Sequence, residues 1–175
     1  MRQRFLPILL LTALLGCSKS DSNPIMDFGE GEGITYRTGN NVPNGPFDPT
    51  DWTSDGEWNK RERALFADLN LNLNGPQQLG SVACPYPNPS ASEAVWSVQA
   101  QGPAGPYSVR ALLVNRQYQP MLRIGPANFV GNQSFLLNYT RAGLGFNELY
   151  RLYYVVYNAG GLVYKGHGDV RYSPQ

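Results

Sequence analysis

The run Glu148 to Tyr157, Glu-Leu-Tyr-Arg-Leu-Tyr-Tyr-Val-Val-Tyr, limits the possible folds more than any other stretch of the chain. Its aromatic and β-branched residues favour extended backbone, and apolar side chains fall on both sides of the strand they would form. A strand that is dry on both faces belongs in the middle of a sheet, with another layer over each side. We therefore read it as a central strand, with the helix near Trp58 or the segment after it lying over one face. Asn158-Ala159-Gly160-Gly161 follows, a turn able to supply positive φ, and Leu162 to Tyr172 form a second strand-like run. A four-residue loop without a bulge places Tyr153 opposite Gly166, Val155 opposite Tyr164 and Tyr157 opposite Leu162. In that register an aromatic ring covers a glycine, and the other face carries Tyr150, Leu152, Tyr154 and Val156 beside Asp169, His167, Lys165 and Val163.

Upstream, the same period of two recurs. Ala94, Trp96, Val98 and Ala100 alternate with Val95, Ser97 and Gln99; Tyr107, Val109, Ala111 and Leu113 alternate with Ser108 and Arg110; Phe135, Leu137 and Tyr139 alternate with Ser134 and Asn138. Clusters rich in Gly, Pro and Asn at Gln101 to Pro106, Gly125 to Asn128 and Arg141 to Asn147 read as turns. Regularly spaced strands without intervening helices predict an all-β fold, an antiparallel β-sandwich of about seven strands over residues 84–175. A disordered tether and one short helix precede it.

The helix is predicted over Trp58 to Phe66 or Ala67. Ser54-Asp55-Gly56-Glu57 has the form of a capping box, and Trp58, Leu65 and Phe66 can share one side. Residues 51–83 are then this helix and a connecting segment. Asp48, Asp51, Asp55 and Glu57 invite a calcium reading, but their spacing does not match an EF-hand loop. The simpler account has Asp55 and Glu57 favouring the helix N-terminus and the other two solvated.

The start of the chain carries a different kind of signal. Arg2 and Arg4 precede an apolar run from Phe5 to Leu15 that is too short to span a bilayer, and Leu14-Leu15-Gly16-Cys17 closes it. This tetrapeptide resembles the lipobox of bacterial lipoproteins, in which the cysteine sulfur takes a diacylglycerol and the leader is cleaved. The resemblance implies a signal peptide over 1–16, a lipid on Cys17, and a membrane as partner through that lipid. Residues 17–50, rich in Ser, Asn, Gly and Pro, read as the tether, with a span on the order of 30 Å. Cys17-Ser18-Lys19-Ser20-Asp21-Ser22 is similar to the polar, acidic export tags of some surface lipoproteins. That implies an outer-membrane lipoprotein exposed at the cell surface, the periplasmic face being the alternative.

Loss of Arg2 and Arg4 lowers the formal charge from +1 to about −1, so the composition offers no electrostatic case for nucleic acid. With Cys17 lipidated, Cys84 has no cysteine left to pair with, and reads as a small buried apolar residue. No cofactor or metal-binding spacing is present.

Tyr86-Pro87-Asn88-Pro89 lies near the start of the predicted sandwich. Here the chain resembles the C-terminal sorting domains of the type IX secretion system, which open on a Tyr-Pro-Asn-Pro motif and fold as immunoglobulin-like sandwiches. The resemblance covers Cys84 to Gln175 and implies the fold. The ending Val170 to Gln175 lacks the basic closing strand usual in that family.

Three functional readings follow. The first is a non-enzymatic, lipid-anchored binding or structural module of the cell envelope, with an envelope protein or a glycan as partner. The second is carbohydrate recognition by a ligand face of Tyr150, Tyr154, Lys165, His167 and Asp169, flat rings flanked by hydrogen-bonding groups. The third is a hydrolase using His167 and Asp169 as an acid–base pair, although no nucleophile elbow accompanies them.

Overall fold

A computed structural model describes residues 25–29, 33–78, 80–100 and 105–173. The predicted signal peptide, Cys17 and the first part of the predicted tether lie outside the described residues. In chain order the elements are β1 (Thr53–Ser54), α1 (Lys60–Ala64), a 3-10 turn (Ala67–Leu69), β2 (Gly80–Val82), β3 (Glu93–Ala100), β4 (Tyr107–Val114), β5 (Pro120–Phe129), β6 (Asn132–Asn138), β7 (Glu148–Asn158) and β8 (Gly161–Tyr172). The chain is all-β. Its strands form two antiparallel sheets, ordered β1-β8-β7-β4-β5 and β2-β3-β6. Two strands in one sheet, two in the other, one back and a final pair is the strand traffic of an immunoglobulin-like sandwich. β1 is an addition, extending the larger sheet beyond β8.

The alternating runs form the strands because each supplies one dry face to the space between the sheets. Trp96, Val98, Val109, Ala111, Leu137 and Tyr139 are buried there with Tyr150, Leu152, Tyr154 and Val156 of β7. β7 is central, bonded to β4 on one side and β8 on the other. Its second face meets a separate apolar cluster in which Met26, Phe28, Trp58 and Phe66 cover Tyr153, Val155 and Leu112. Trp58 stacks on Phe66 and meets Tyr153 edge-on at 5.5 Å between ring centroids. The segment around Trp58 is thus the layer over one face of the central strand.

Four expectations need correction. Much of the stretch read as tether is packed: Met26, Phe28, Ile34 and Thr35 are buried, and Met26 N–H donates to the Arg116 carbonyl. Its apolar residues are spent singly along an irregular wrap, so no periodicity announces them. The helix is five residues long and starts later, because Asn59 and Glu62 make the capping box. The Asn59 side chain accepts from Arg61 N–H at 2.8 Å and Glu62 N–H at 3.1 Å, while Glu62 accepts from Asn59 N–H at 2.6 Å. Ser54 instead pairs with Gly166 in the sheet. The predicted turn at Gly125 to Asn128 is a bulged part of β5, where Gly125 has φ +74° and a Cβ would sit 2.3 Å from the Val109 carbonyl oxygen.

The register of the β7–β8 hairpin also differs, by one residue. Tyr157 pairs with Leu162 as expected, but the next pair is Val156 with Tyr164, so Val163 is an extra residue on β8. Every later pair is shifted by one, setting Tyr153 opposite His167 and Tyr154 opposite Gly166. The ring over glycine is consequently Tyr154, whose hydroxyl lies 2.5 Å from where a Gly166 Cβ would be.

Candidate functional site

The bulge at Val163 splits the predicted ligand face. Tyr150 and Tyr154 point between the sheets and are 2% and 0% exposed, whereas Lys165, His167 and Asp169 lie on the opposite side, under the N-terminal wrap. A tyrosine-lined surface does not form, which overturns the carbohydrate reading at those residues. Both tyrosine hydroxyls are also used internally: Tyr154 donates to the Thr53 carbonyl, and Tyr150 donates to Glu148 while accepting from Gly145 N–H. A sequence read with unbroken alternation cannot foresee this, since one inserted residue moves a strand's side chains to the other face.

Under the wrap the polar groups pair with one another. Arg151 grips Asp169 through two bonds of 2.6 and 2.7 Å. Burial works against the charge on Arg151, but the adjacent carboxylate prevails and raises its pKa. Burial likewise raises the pKa of Asp169, with Arg151 pulling the other way. Asp51 accepts from Asp169 N–H at 2.9 Å and from Thr35 N–H at 3.2 Å. Burial first and the neighbouring Asp169 second push Asp51 up to about 8. Of these two buried carboxyl groups only Asp169 is bonded to the guanidinium.

The other two predicted residues sit beside this group. His167 Nδ1 lies 2.8 Å from the carboxylate of Asp55, which also accepts from Trp58 Nε1 at 2.5 Å. Lys165 is 1% exposed, donates from Nζ to the Gly56 carbonyl and stands 5.0 Å from the Trp58 ring. Its burial lowers its pKa. The acid–base pair of His167 with Asp169 does not form: each is held by a different partner, brought from Asp55 and Arg151. Among the described residues no hydroxyl is hydrogen-bonded to the His167 ring, and no three His, Cys, Asp or Glu side chains converge to hold a metal ion. Asp51 and Asp55, read above as solvated and as a helix-end charge, are in fact network members, each with one partner more than a hundred residues away.

Asn88, from the Tyr-Pro-Asn-Pro motif, ties this face to the rest of the molecule. It is 1% exposed, donates to the carbonyls of Thr35 and Asp169 at 3.0 Å each, and accepts from Arg171 N–H. Its backbone exchanges two bonds with Arg37. One side chain thereby joins the wrap, the β2–β3 connection and the last strand. Cys84 beside it is buried, its thiol pushed up to about 12 by that burial. The stiff prolines were readable in sequence; the amide between them as a three-way tie was not.

Open surface remains at the two ends of the sandwich. One end holds a cleft of about 620 Å³ between the β4–β5 and β6–β7 connections, with Arg116, Gln117, Asn147, Glu148 and Arg171 on its walls. The other holds a cleft of similar volume beside the β7–β8 turn, lined by Tyr157, Leu162 and Pro106 with Gln78, Ser108 and Asn158, with no charged group among its described lining residues. No protein-family model matches the chain, and no curated protein matches it.

Proposed function

We propose that this chain is a lipid-anchored protein of the bacterial cell envelope whose sandwich is a non-enzymatic binding or structural module. One observation carries the second half of the reading. The side chains with chemical potential on the predicted face, Lys165, His167 and Asp169, are each engaged by a partner from within the fold, so their role there is to hold the wrap on the sheet. The lipobox-like Leu14-Leu15-Gly16-Cys17 supports the anchor, and the serine-rich, singly acidic stretch after it supports exposure at the cell surface. Labelled palmitate should enter the wild-type protein and not Cys17→Ser, and protease added to intact cells should remove the domain. Unlabelled wild-type protein would refute the anchor, and a domain protected until the outer membrane is opened would place it on the periplasmic side.

The uncharged cleft beside the β7–β8 turn favours a second reading, carbohydrate binding. A partly exposed Tyr157 ring with amide and hydroxyl neighbours suits a neutral sugar, which offers apolar ring faces and hydroxyls but no charge. A glycan array should then show binding that Tyr157→Ala abolishes; an array without binders would remove this reading.

A further inference from the structure

Among the described residues, strand β6 is the least protected sheet edge. Edges are normally blunted by proline, charge, bulges or brevity. β5 carries Pro120, Pro126 and a bulge, and β1 and β2 are only two and three residues long. β6 runs for seven residues, Asn-Gln-Ser-Phe-Leu-Leu-Asn, with no proline, no charged side chain and an unbroken register against β3. Leu136 on it is 57% exposed, and among the large exposed apolar side chains of the described residues it alone sits on a strand.

The register shows which backbone groups face outward. Ala100 N–H donates to Gly131 and Tyr139 N–H to Ser92, and both pairs continue the β3–β6 alignment. Hydrogen-bonded pairs alternate along an antiparallel ladder, so residues 131, 133, 135, 137 and 139 bond toward β3. Asn132, Ser134, Leu136 and Asn138 therefore aim their N–H and C=O groups at the open edge. Gln133 Nε2 donates to the Ser134 carbonyl at 3.0 Å, and Ala142 N–H to that of Asn138; the N–H groups of Ser134 and Leu136 have no partner within the described chain.

We propose that β6 pairs antiparallel with β6 of a second copy of this chain, about a twofold axis through Phe135. In that register the Ser134 N–H meets the Leu136 carbonyl of the second copy and the Leu136 N–H meets its Ser134 carbonyl, whose second lone pair is open. Asn132 falls opposite Asn138, and the two Phe135 residues face each other across the axis at a non-hydrogen-bonded position. The exposed Leu136 side chains lie diagonally across the join, each next to the other copy's Ser134 and its own neighbour Val95. An identical strand suits this edge because β6 is uncharged: self-pairing about the axis brings no like charges together, and the edge offers no charge by which a different partner would be selected. The result is one continuous six-stranded sheet made from two three-stranded ones. This inference does not depend on the lipid or on a glycan, although attachment to a common membrane would raise the effective concentration of the two copies.

Sedimentation equilibrium of the full chain carrying Cys17→Ser, which removes lipid as a cause of association, tests it from micromolar to near-millimolar protein. The mass should double with concentration, and the Ser134 and Leu136 amides should exchange with solvent more slowly as it does. Leu136→Pro removes an outward N–H without touching the ladder to β3, and should leave a monomer. Ser134→Lys, which keeps every backbone bond, should do the same if the proline variant does not fold. A Cys17→Ser chain that stays monomeric throughout, or a dimer that survives the added Ser134→Lys with unchanged amide exchange, overturns the proposal.

Discussion

The two faces of the larger sheet are stabilised in different ways. Toward the smaller sheet, β7 and β8 present Leu152, Tyr154, Val156 and Val170 to a core in which packing supplies the energy. Toward the wrap, the same strands add to the apolar Tyr153 and Val155 the polar Arg151, Lys165, His167 and Asp169, each of which needs a particular partner. An apolar face tolerates any neighbour of suitable volume, whereas a buried polar face fails when one member is lost. The wrap is accordingly more than a cover: it supplies Asp51, Asp55 and Gly56 as partners to polar groups of β8.

Removing one member of the buried pair should show the contrast most strongly. Arg151→Ala leaves Asp169 buried and uncompensated and should cost about 3–5 kcal/mol in denaturant unfolding. Leu152→Ala, on the other face of the same strand, should cost a comparable 2–5 kcal/mol through its cavity. The two then part company in a second experiment. Arg151→Met combined with Asp169→Leu should regain most of the stability lost by Arg151→Ala; a double variant as unstable as the single would show that the pair is irreplaceable. Asn88→Ala should follow at about 1–3 kcal/mol, since it strips donors from two buried carbonyls, and hydrogen exchange should rise in the wrap before it rises in the inter-sheet core.

The pH dependence separates the faces by charge. Asp51 has its pKa raised from 3.8 to about 8 in the folded protein, so between those values the folded state holds a proton that the unfolded chain has released. Stability should therefore fall as pH rises from about 4 to 8, by up to about 1.4 kcal/mol per pH unit for one group. Asp51→Asn should flatten that fall and make the protein more stable than wild type near pH 8. An unchanged slope in this variant would move the proton to Asp169, whose pKa is displaced in the same direction. The smallest effect is expected at the surface: Asp68→Ala breaks a 3.0 Å pair with Arg110 in which Asp68 is 58% exposed, and should change stability by about 0–1 kcal/mol.

The inner face of the sandwich was largely legible in the sequence. Trp96, Val109, Leu113 and Leu137 announce their burial by alternation alone, and Glu148 to Tyr157 announces a central strand by being apolar on both sides. The polar face was half legible. Lys165, His167 and Asp169 do share one side of β8, but Tyr150 and Tyr154 do not join them, because the bulge at Val163 has no composition that marks it. The capping box was recognisable as a pattern and misplaced by five residues, since Ser54 and Asn59 both fit it and strand pairing claimed the first.

By itself, then, the sequence determined the strand periods, the two dry sides of β7, the stiff Pro-Asn-Pro entry and the lipobox-like Leu14-Leu15-Gly16-Cys17. These depend on residues within a few positions of one another, where backbone geometry fixes which side chains share a face. Only the tertiary structure decided that Asp55 belongs to His167, Arg151 to Asp169, and Asn88 to Thr35 and Arg171. Those partners are separated by up to 112 residues, and their meeting depends on strand order, on one bulge and on the course of an irregular wrap.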